Sequence, residues 1–329
     1  MSEKSKIIYH RSLVLLSFIL IIGLGFYIHN NTSTFILIKN IRLDIVLALI
    51  LIHVINYWLL GLTHKLPLKK HQINLKFKEW YGLCMVSELF NMLLPAKGGT
   101  GIRMLYINDK KKLAMREFLS MSFAIVLIGF TLLGLIGLAY CQIYLKKTHI
   151  VFSLLESVFL ALSISGIILM FMTEAISKLF KFKRRYSPKN YLKDLKLTSI
   201  VSLCWIGMFV LYPVKVYLSF KAIGIDLNFY DSFEISLVLL AASLFQVLPG
   251  NIGVKEIVTA YIGRQYGIDF EVALLASIID RAILLLFLFP VGFYFYWELF
   301  LESSLPRINW ARIGASSLIP LRKRLLKVR

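Results

Sequence analysis

The sequence predicts an all-α integral membrane protein, with about six full transmembrane helices and two re-entrant, broken-helix segments in an inverted repeat. Three observations lead there. Of 329 residues, 58% are hydrophobic and only 17% charged, with a mean hydropathy of +0.73, too apolar for a soluble chain of this length. Apolar runs recur that reach the roughly 20 residues needed to cross a bilayer core as helix. Finally, two clusters of proline and glycine interrupt sequence that otherwise reads as membrane helix.

Taken in order, the first run is Leu13–Ile28. Its basic start resembles that of a signal peptide, but it has no small-residue cleavage site, so a retained helix is expected. Ile45–Leu62 is the second span, followed by Phe118–Tyr140, Val151–Met172, Ser199–Phe220 and Glu271–Trp297. Between them lie two shorter apolar segments, Tyr81–Pro95 and Phe233–Pro249.

Loop charge decides whether those short segments cross. Lys4, Lys6 and Arg11 precede the first span, Lys65, Lys69, Lys70, Lys76 and Lys78 follow the second, and 178–196 carries a third basic cluster. If both short segments crossed, the basic loops Lys97–Arg116 and Lys178–Lys196 would fall outside. If both enter and return, the N-terminus, the basic loops and the tail all face the cytoplasm, as the bias of Lys and Arg requires. The expected organisation is a single polytopic domain, 1–329. The first repeat is 44–145 with its re-entrant segment near 81–108; the second is 199–298 with its re-entrant segment near 233–265. A basic tail, 307–329, is cytoplasmic, and the expected location is a plasma (inner) membrane.

Several function classes are excluded early. The net charge of +20 sits in loops flanking apolar helices, where topology and anionic lipid explain it. No module or aromatic platform for nucleic acid accompanies it. Cys84, Cys141 and Cys204 are scattered, and no Cys or His spacing suggests a metal. No Gly-x-x-x-x-Gly-Lys-Ser/Thr loop is present, so ATP is not the direct driver and no cofactor is expected.

The two breaks carry the chemistry. "NMLLPAKGGTGIRMLY" (Asn91–Tyr106) and "SLFQVLPGNIGVKEIV" (Ser243–Val258) share a Leu-Pro followed four residues later by Gly99 or Gly253. An apolar span begins upstream of each break and another downstream, in opposite charge-derived orientations, an arrangement that recurs in transporters. A half-helix starting after each break offers amide groups and a partial positive charge to an anion. The candidate anion-binding residues are Lys97, Gly98, Gly99 and Arg103 in the first half, and Gly250, Gly253, Lys255 and Arg281 in the second. Ionisable residues inside spans are functional candidates by default. Glu88, Glu256 and Asp280 could carry a coupling proton, with Asn91 and Gln246 at matching places on the half-helices. Lys215, near a span end, is expected to snorkel, and His53 to form an interhelical hydrogen bond.

These motifs resemble the lysylphosphatidylglycerol synthase transmembrane, or flippase-like, family. "LLPAKGGTGIR" matches its first-half pattern at Pro95, Gly98, Gly99 and Arg103. "LPGNIGVKE" and "SIIDRAILL" match the second at Pro249, Gly250, Gly253, Glu256 and Arg281. Thr100 stands where the family usually has an acidic residue, and "SMSFAIVLIGF" lacks the acidic-arginine pair often found there. The resemblance implies movement of an anionic lipid or lipid-linked glycan precursor between leaflets, with a membrane lipid as partner. Only residues 298–329 follow the last span, so no large synthase domain is expected, and a transporter is favoured over a chemical catalyst. Three alternatives stay open: a transferase using a polyprenyl-phosphate sugar, a non-catalytic subunit beside envelope-biosynthesis enzymes, and a carrier of a small soluble anion.

Overall fold

The computed structural model describes residues 41–95, 97–144, 150–182, 184–244 and 248–302. The expected span Leu13–Ile28, the tail 307–329 and Gln246 lie outside the described residues. Among those described, the secondary structure is eleven α-helices, three short 3₁₀ turns and a closing π-helical segment, Trp297–Glu302, with no strand. They are α1 Leu43–Leu68, α2 Phe77–Leu93, α3 Gly98–Lys111, α4 Met115–Tyr144, α5 Ile150–Phe171, α6 Thr173–Leu179, α7 Pro188–Leu192, α8 Leu195–Lys221, α9 Phe229–Leu244, α10 Val254–Gln265 and α11 Phe270–Tyr296.

Four of these, α1, α4, α8 and α11, are long and apolar enough to cross a membrane, and α5 with α6 makes a fifth if the bent pair is one span. The bend, 64°, was not expected. The run Val151–Met172 ends where Met172 turns the chain into α6, whose polar and charged residues no longer suit a bilayer core.

Both short segments stop near their prolines. Leu94 is extended (φ −113°, ψ 143°), the conformation forced on a residue preceding proline, and the chain restarts as α3 at Gly98. In the second half a 3₁₀ turn at Pro249–Asn251 precedes α10. The element order long helix, short helix, break, short helix, long helix thus occurs twice: α1, α2, α3, α4 and again α8, α9, α10, α11.

Packing fixes how the breaks meet. Met85, Val86 and Leu89 of α2 are fully buried in a core shared with α1, α3, α4 and α11. A second core joins the start of α1 to α8, α9, α10 and α11, and a third joins α4, α5 and α9. Between α4 and α5, Gly134 faces Ser163 and Gly166 faces Thr131, small residues that let helices approach where lipid offers no hydrophobic drive. At the head of α8, Asp194 accepts a hydrogen bond from the Leu197 amide at 3.1 Å and pairs with Lys70 at 3.0 Å.

The closest approach is at Gly99, where a Cβ would lie 1.8 Å from the Ser87 carbonyl oxygen on α2. Two residues on, a Cβ at Gly101 would meet nothing within 4 Å. Gly99→Ala should therefore cost at least about 2 kcal/mol through overpacking against backbone. Gly101→Ala should be neutral or stabilising by up to about 1 kcal/mol. Thermal unfolding of the two variants in detergent checks this; equal midpoints would mean α3 does not sit on α2 this closely.

The Leu197 amide and Lys70 hold the Asp194 carboxyl below the usual carboxylate range. A carboxyl depressed by folding contributes fully above its unfolded pKa of about 3.9, and loses that contribution as pH falls through the lower folded value. Asp194→Ala should cost about 1 kcal/mol at neutral pH. The gap between variant and parent should narrow once the pH drops below about 4, read as melting midpoints across a pH series.

Candidate functional site

The second break packs against the end of α2, just ahead of the first break. The end of α2 lies against the second turn: a Cβ on Gly250 would meet the Met92 sulfur at 2.6 Å. Gly82 and Gly292 let α2 run close along α11, against Phe295 and Leu89. Around this contact six helices, α1, α2, α3, α8, α10 and α11, contribute ionisable side chains.

In the second half, Glu256 is the third residue of α10. One of its oxygens accepts from the Gly253 amide at 2.8 Å. The other pairs with Arg281 Nε on α11. Arg281 also donates to the carbonyls of Gly250 at 3.1 Å and Asn251 at 3.4 Å. The turn these carbonyls belong to has three residues in the left-handed region: Gly250 (φ 57°), Asn251 (φ 52°) and Gly253 (φ 84°). Glycine occupies two of them because a side chain there is strained. Glu256 is 1% exposed, so the pair is a dry one that ties helix start, turn and α11 into a unit.

One residue away, about 100° round α11, Asp280 lines the same cavity. It takes Lys215 Nζ of α8 at 3.0 Å and His53 Nε2 of α1 at 3.3 Å. Lys215 also lies over the Tyr212 ring, 4.2 Å from its centroid. Sequence reasoning read Lys215 as a snorkelling residue; the structure instead turns it inward to a carboxylate. The available signal was Asp280 itself, a buried acid needing a cation from a facing span. His53 reaches α11 at ion-pair distance, without the hydrogen-bond geometry the sequence led us to expect.

Lys255 remains without a carboxylate. Its partner among the described residues is the Tyr212 hydroxyl, 3.5 Å away. Tyr212, Lys215, Lys255, Glu256, Asp280 and Arg281 line a cavity of about 50 Å³. That is room for a few waters at most, not for a lipid headgroup.

The first half is built differently. Lys97 caps α3 in the left-handed conformation (φ 54°) and its side chain is exposed. The Gly98 and Thr100 amides turn to the carbonyls of Pro95 and Lys97. Thr100 is the third residue of α3, the place Glu256 holds in α10, and the first turn of α3 has no acidic residue. Arg103 is 5% exposed, beside the Cys84 thiol. Its Nε has no hydrogen-bond partner, and no carboxylate lies within ion-pair distance among the described residues. Glu88 accepts from Asn91 Nδ2 at 3.1 Å, and the charges of Arg103, Lys97 and Lys255 all bear on its carboxylate. The first-half and second-half candidates therefore share one electrostatic neighbourhood. Among the described residues no three His, Cys, Asp or Glu side chains gather as a metal site requires.

Breaking a dry ion pair by removing one partner strands the other charge, at a cost of about 3–5 kcal/mol, whereas removing both is far milder. Arg281→Gln should therefore unfold at markedly lower temperature than the parent. Adding Glu256→Gln should recover much of the loss. A double variant no more stable than Arg281→Gln would show that the two side chains are energetically independent.

The family model described as "Lysylphosphatidylglycerol synthase TM region" matches residues 14–292 of this chain. No curated protein and no solved structure gives a significant match.

Proposed function

Because the chain belongs to the lysylphosphatidylglycerol synthase TM region family, we propose that it is a flippase-like transporter moving an anionic lipid, or a lipid-linked phosphoglycan precursor, between leaflets. The observation that carries this reading is the imbalance at the two breaks. In the second half a helix start is neutralised by Glu256, which is itself paired with Arg281. In the first half the equivalent start has Thr100 in place of a carboxylate, a buried Arg103 and an exposed Lys97, with Lys255 close by. A phosphate supplied by the substrate fits the deficit. Helix starts and cations favour such a group, and glycines let it approach backbone.

In this reading Lys97, Gly98, Gly99, Arg103 and Lys255 receive the headgroup. Gly250, Gly253 and Arg281 hold the second turn, and Arg281 reaches a headgroup only when its pair with Glu256 opens. Glu88, Glu256 and Asp280 are the candidates for a coupling proton. The protein lies in the plasma membrane with both ends cytoplasmic, and the two halves form an inverted repeat that rocks to expose the site alternately. The cavity of about 50 Å³ then corresponds to a closed state.

The test uses the full chain in sealed vesicles carrying a trace of tail-labelled fluorescent phosphatidylglycerol or phosphatidylcholine, with dithionite added outside. Inner-leaflet label should become quenchable with protein present, faster for phosphatidylglycerol. Lys255→Gln should slow the exchange about tenfold or more, the worth of one charge-assisted hydrogen bond. Exchange no faster than in protein-free vesicles, or indifferent to Lys255, sinks the proposal. Product formation from a polyprenyl-phosphate sugar in detergent would instead indicate a transferase.

A further inference from the structure

Away from the two breaks, the bend between α5 and α6 builds a second place of distinct chemistry. An apolar groove of about 780 Å³ runs between α4 and α6, walled by Leu119, Phe123, Val126, Ile176 and Leu179. Beside it lies a polar basin of about 700 Å³ whose walls include Lys178, Lys181, Lys189 and Lys193. The two cavities share Lys181 and Phe182. Each is large enough for a substantial ligand, on the scale of about 300–1,000 Å³ typical of binding pockets.

Charge selects the occupant. The acid of the basin, Glu174, pairs with Lys189 at 2.5 Å. Lys178, Lys181 and Lys193 have no ion-pair partner among the described residues. A helix whose last turn mixes exposed Leu179 and Phe180 with lysines suits a membrane–water boundary. The occupant must therefore be apolar on one side and anionic on the other.

The backbone adds an independent observation. α6 ends in a Schellman motif: the Phe182 amide bonds the Ser177 carbonyl at 2.9 Å, and the Lys181 amide bonds the Lys178 carbonyl at 3.2 Å. The position between them takes a left-handed residue, by preference glycine. Here it is Lys181, with φ 52°. A lysine held in that conformation costs roughly 1–2 kcal/mol, and strain of this kind gathers at functional positions. It stands at the junction of groove and basin.

The geometry points to a binding site for one anionic glycerophospholipid of the surrounding bilayer. An acyl chain lies along Leu119, Phe123 and Val126, and the phosphate sits among Lys178, Lys181 and Lys193. This site is independent of the substrate site at the breaks. It stations an anionic lipid at the α5–α6 elbow, on the membrane side where the basic loop emerges.

Lys181→Gly separates binding from folding, because glycine relieves the backbone strain while removing the charge. The full chain is reconstituted in phosphatidylcholine containing a small fraction of spin-labelled phosphatidylglycerol or spin-labelled phosphatidylcholine. Relative association is read from the immobilised fraction. The parent should prefer phosphatidylglycerol several-fold, and Lys181→Gly should cut that preference up to about fivefold, the worth of one lysine near an anionic surface. Its melting temperature should be unchanged or higher. Adding Lys178→Gln and Lys193→Gln should bring the preference close to parity, while Lys255→Gln leaves it intact. Parity in the parent, meaning an ordinary lipid annulus only, overturns the proposal. So does a preference that survives in the triple variant, or one abolished by Lys255→Gln alone.

Discussion

The second half of the molecule hangs on one buried ion pair. Pro249 and the left-handed residues after it open the helical hydrogen-bond ladder inside an apolar assembly, leaving carbonyls and amides that lipid cannot satisfy. Arg281 takes the Gly250 and Asn251 carbonyls, Glu256 takes the Gly253 amide, and the two side chains satisfy each other's charge. Neither residue could be buried there alone. Together they make a break in the helix into a fixed element, bolted to α11.

The neighbouring groups follow from that bolt. With Arg281 committed to the turn, Asp280 points about 100° round α11, where Lys215 and His53 answer it. That in turn leaves Lys255 with a phenol hydroxyl as its polar contact. The site is thus paired throughout except at one lysine and at the first-half break. There Arg103 is buried with no carboxylate at ion-pair distance among the described residues, and Lys97 stands at the mouth of α3. In the proposed function the cargo's phosphate does for α3 what Glu256 does permanently for α10.

How much of this was legible in the sequence depended on the range of the interaction involved. Spans such as Phe118–Tyr140 and Glu271–Trp297 were legible because continuous apolarity is a local property, and the breaks because Pro95, Pro249 and the glycines act on their own backbone. The pairing of Lys215 with Asp280 was not, since 65 residues separate them in sequence. Arg281 was visible as a buried charge, but its satisfaction by Glu256 and two turn carbonyls depends on how α10 meets α11. Thr100 was noticed as a departure from the family pattern. That it takes the helical position Glu256 holds in α10 depends on where each helix starts after its break. The elbow at Met172 left no breaker in the sequence; α5 ends there because apolarity runs out, not because proline or glycine stops it.

The contrast between the halves also bears on which part moves. Opening the second turn would separate a dry ion pair and expose carbonyls that Arg281 now satisfies, a cost of several kcal/mol. The α2–α3 hairpin is tied within itself: Lys111 of α3 pairs with Glu79 of α2 at 2.6 Å, and the Tyr106 hydroxyl donates to the same carboxylate. α3 rests on α2 through close backbone approach at Gly99, and its first amides are satisfied within its own turn. These ties travel with the hairpin if it tilts as a unit. Its ion pair to the end of the last helix, Lys78 with Glu298 at 2.8 Å, is exposed on the lysine side and cheap to part. In the proposed function, a cavity too small for a headgroup enlarges by movement of the first half against the second, with α11 and the α10 turn as the stationary wall. Lys255 belongs to that wall and Lys97 to the moving hairpin, so the distance between these two cations is the coordinate on which an anionic headgroup would act: drawing them together when bound, and letting their repulsion part them when it leaves.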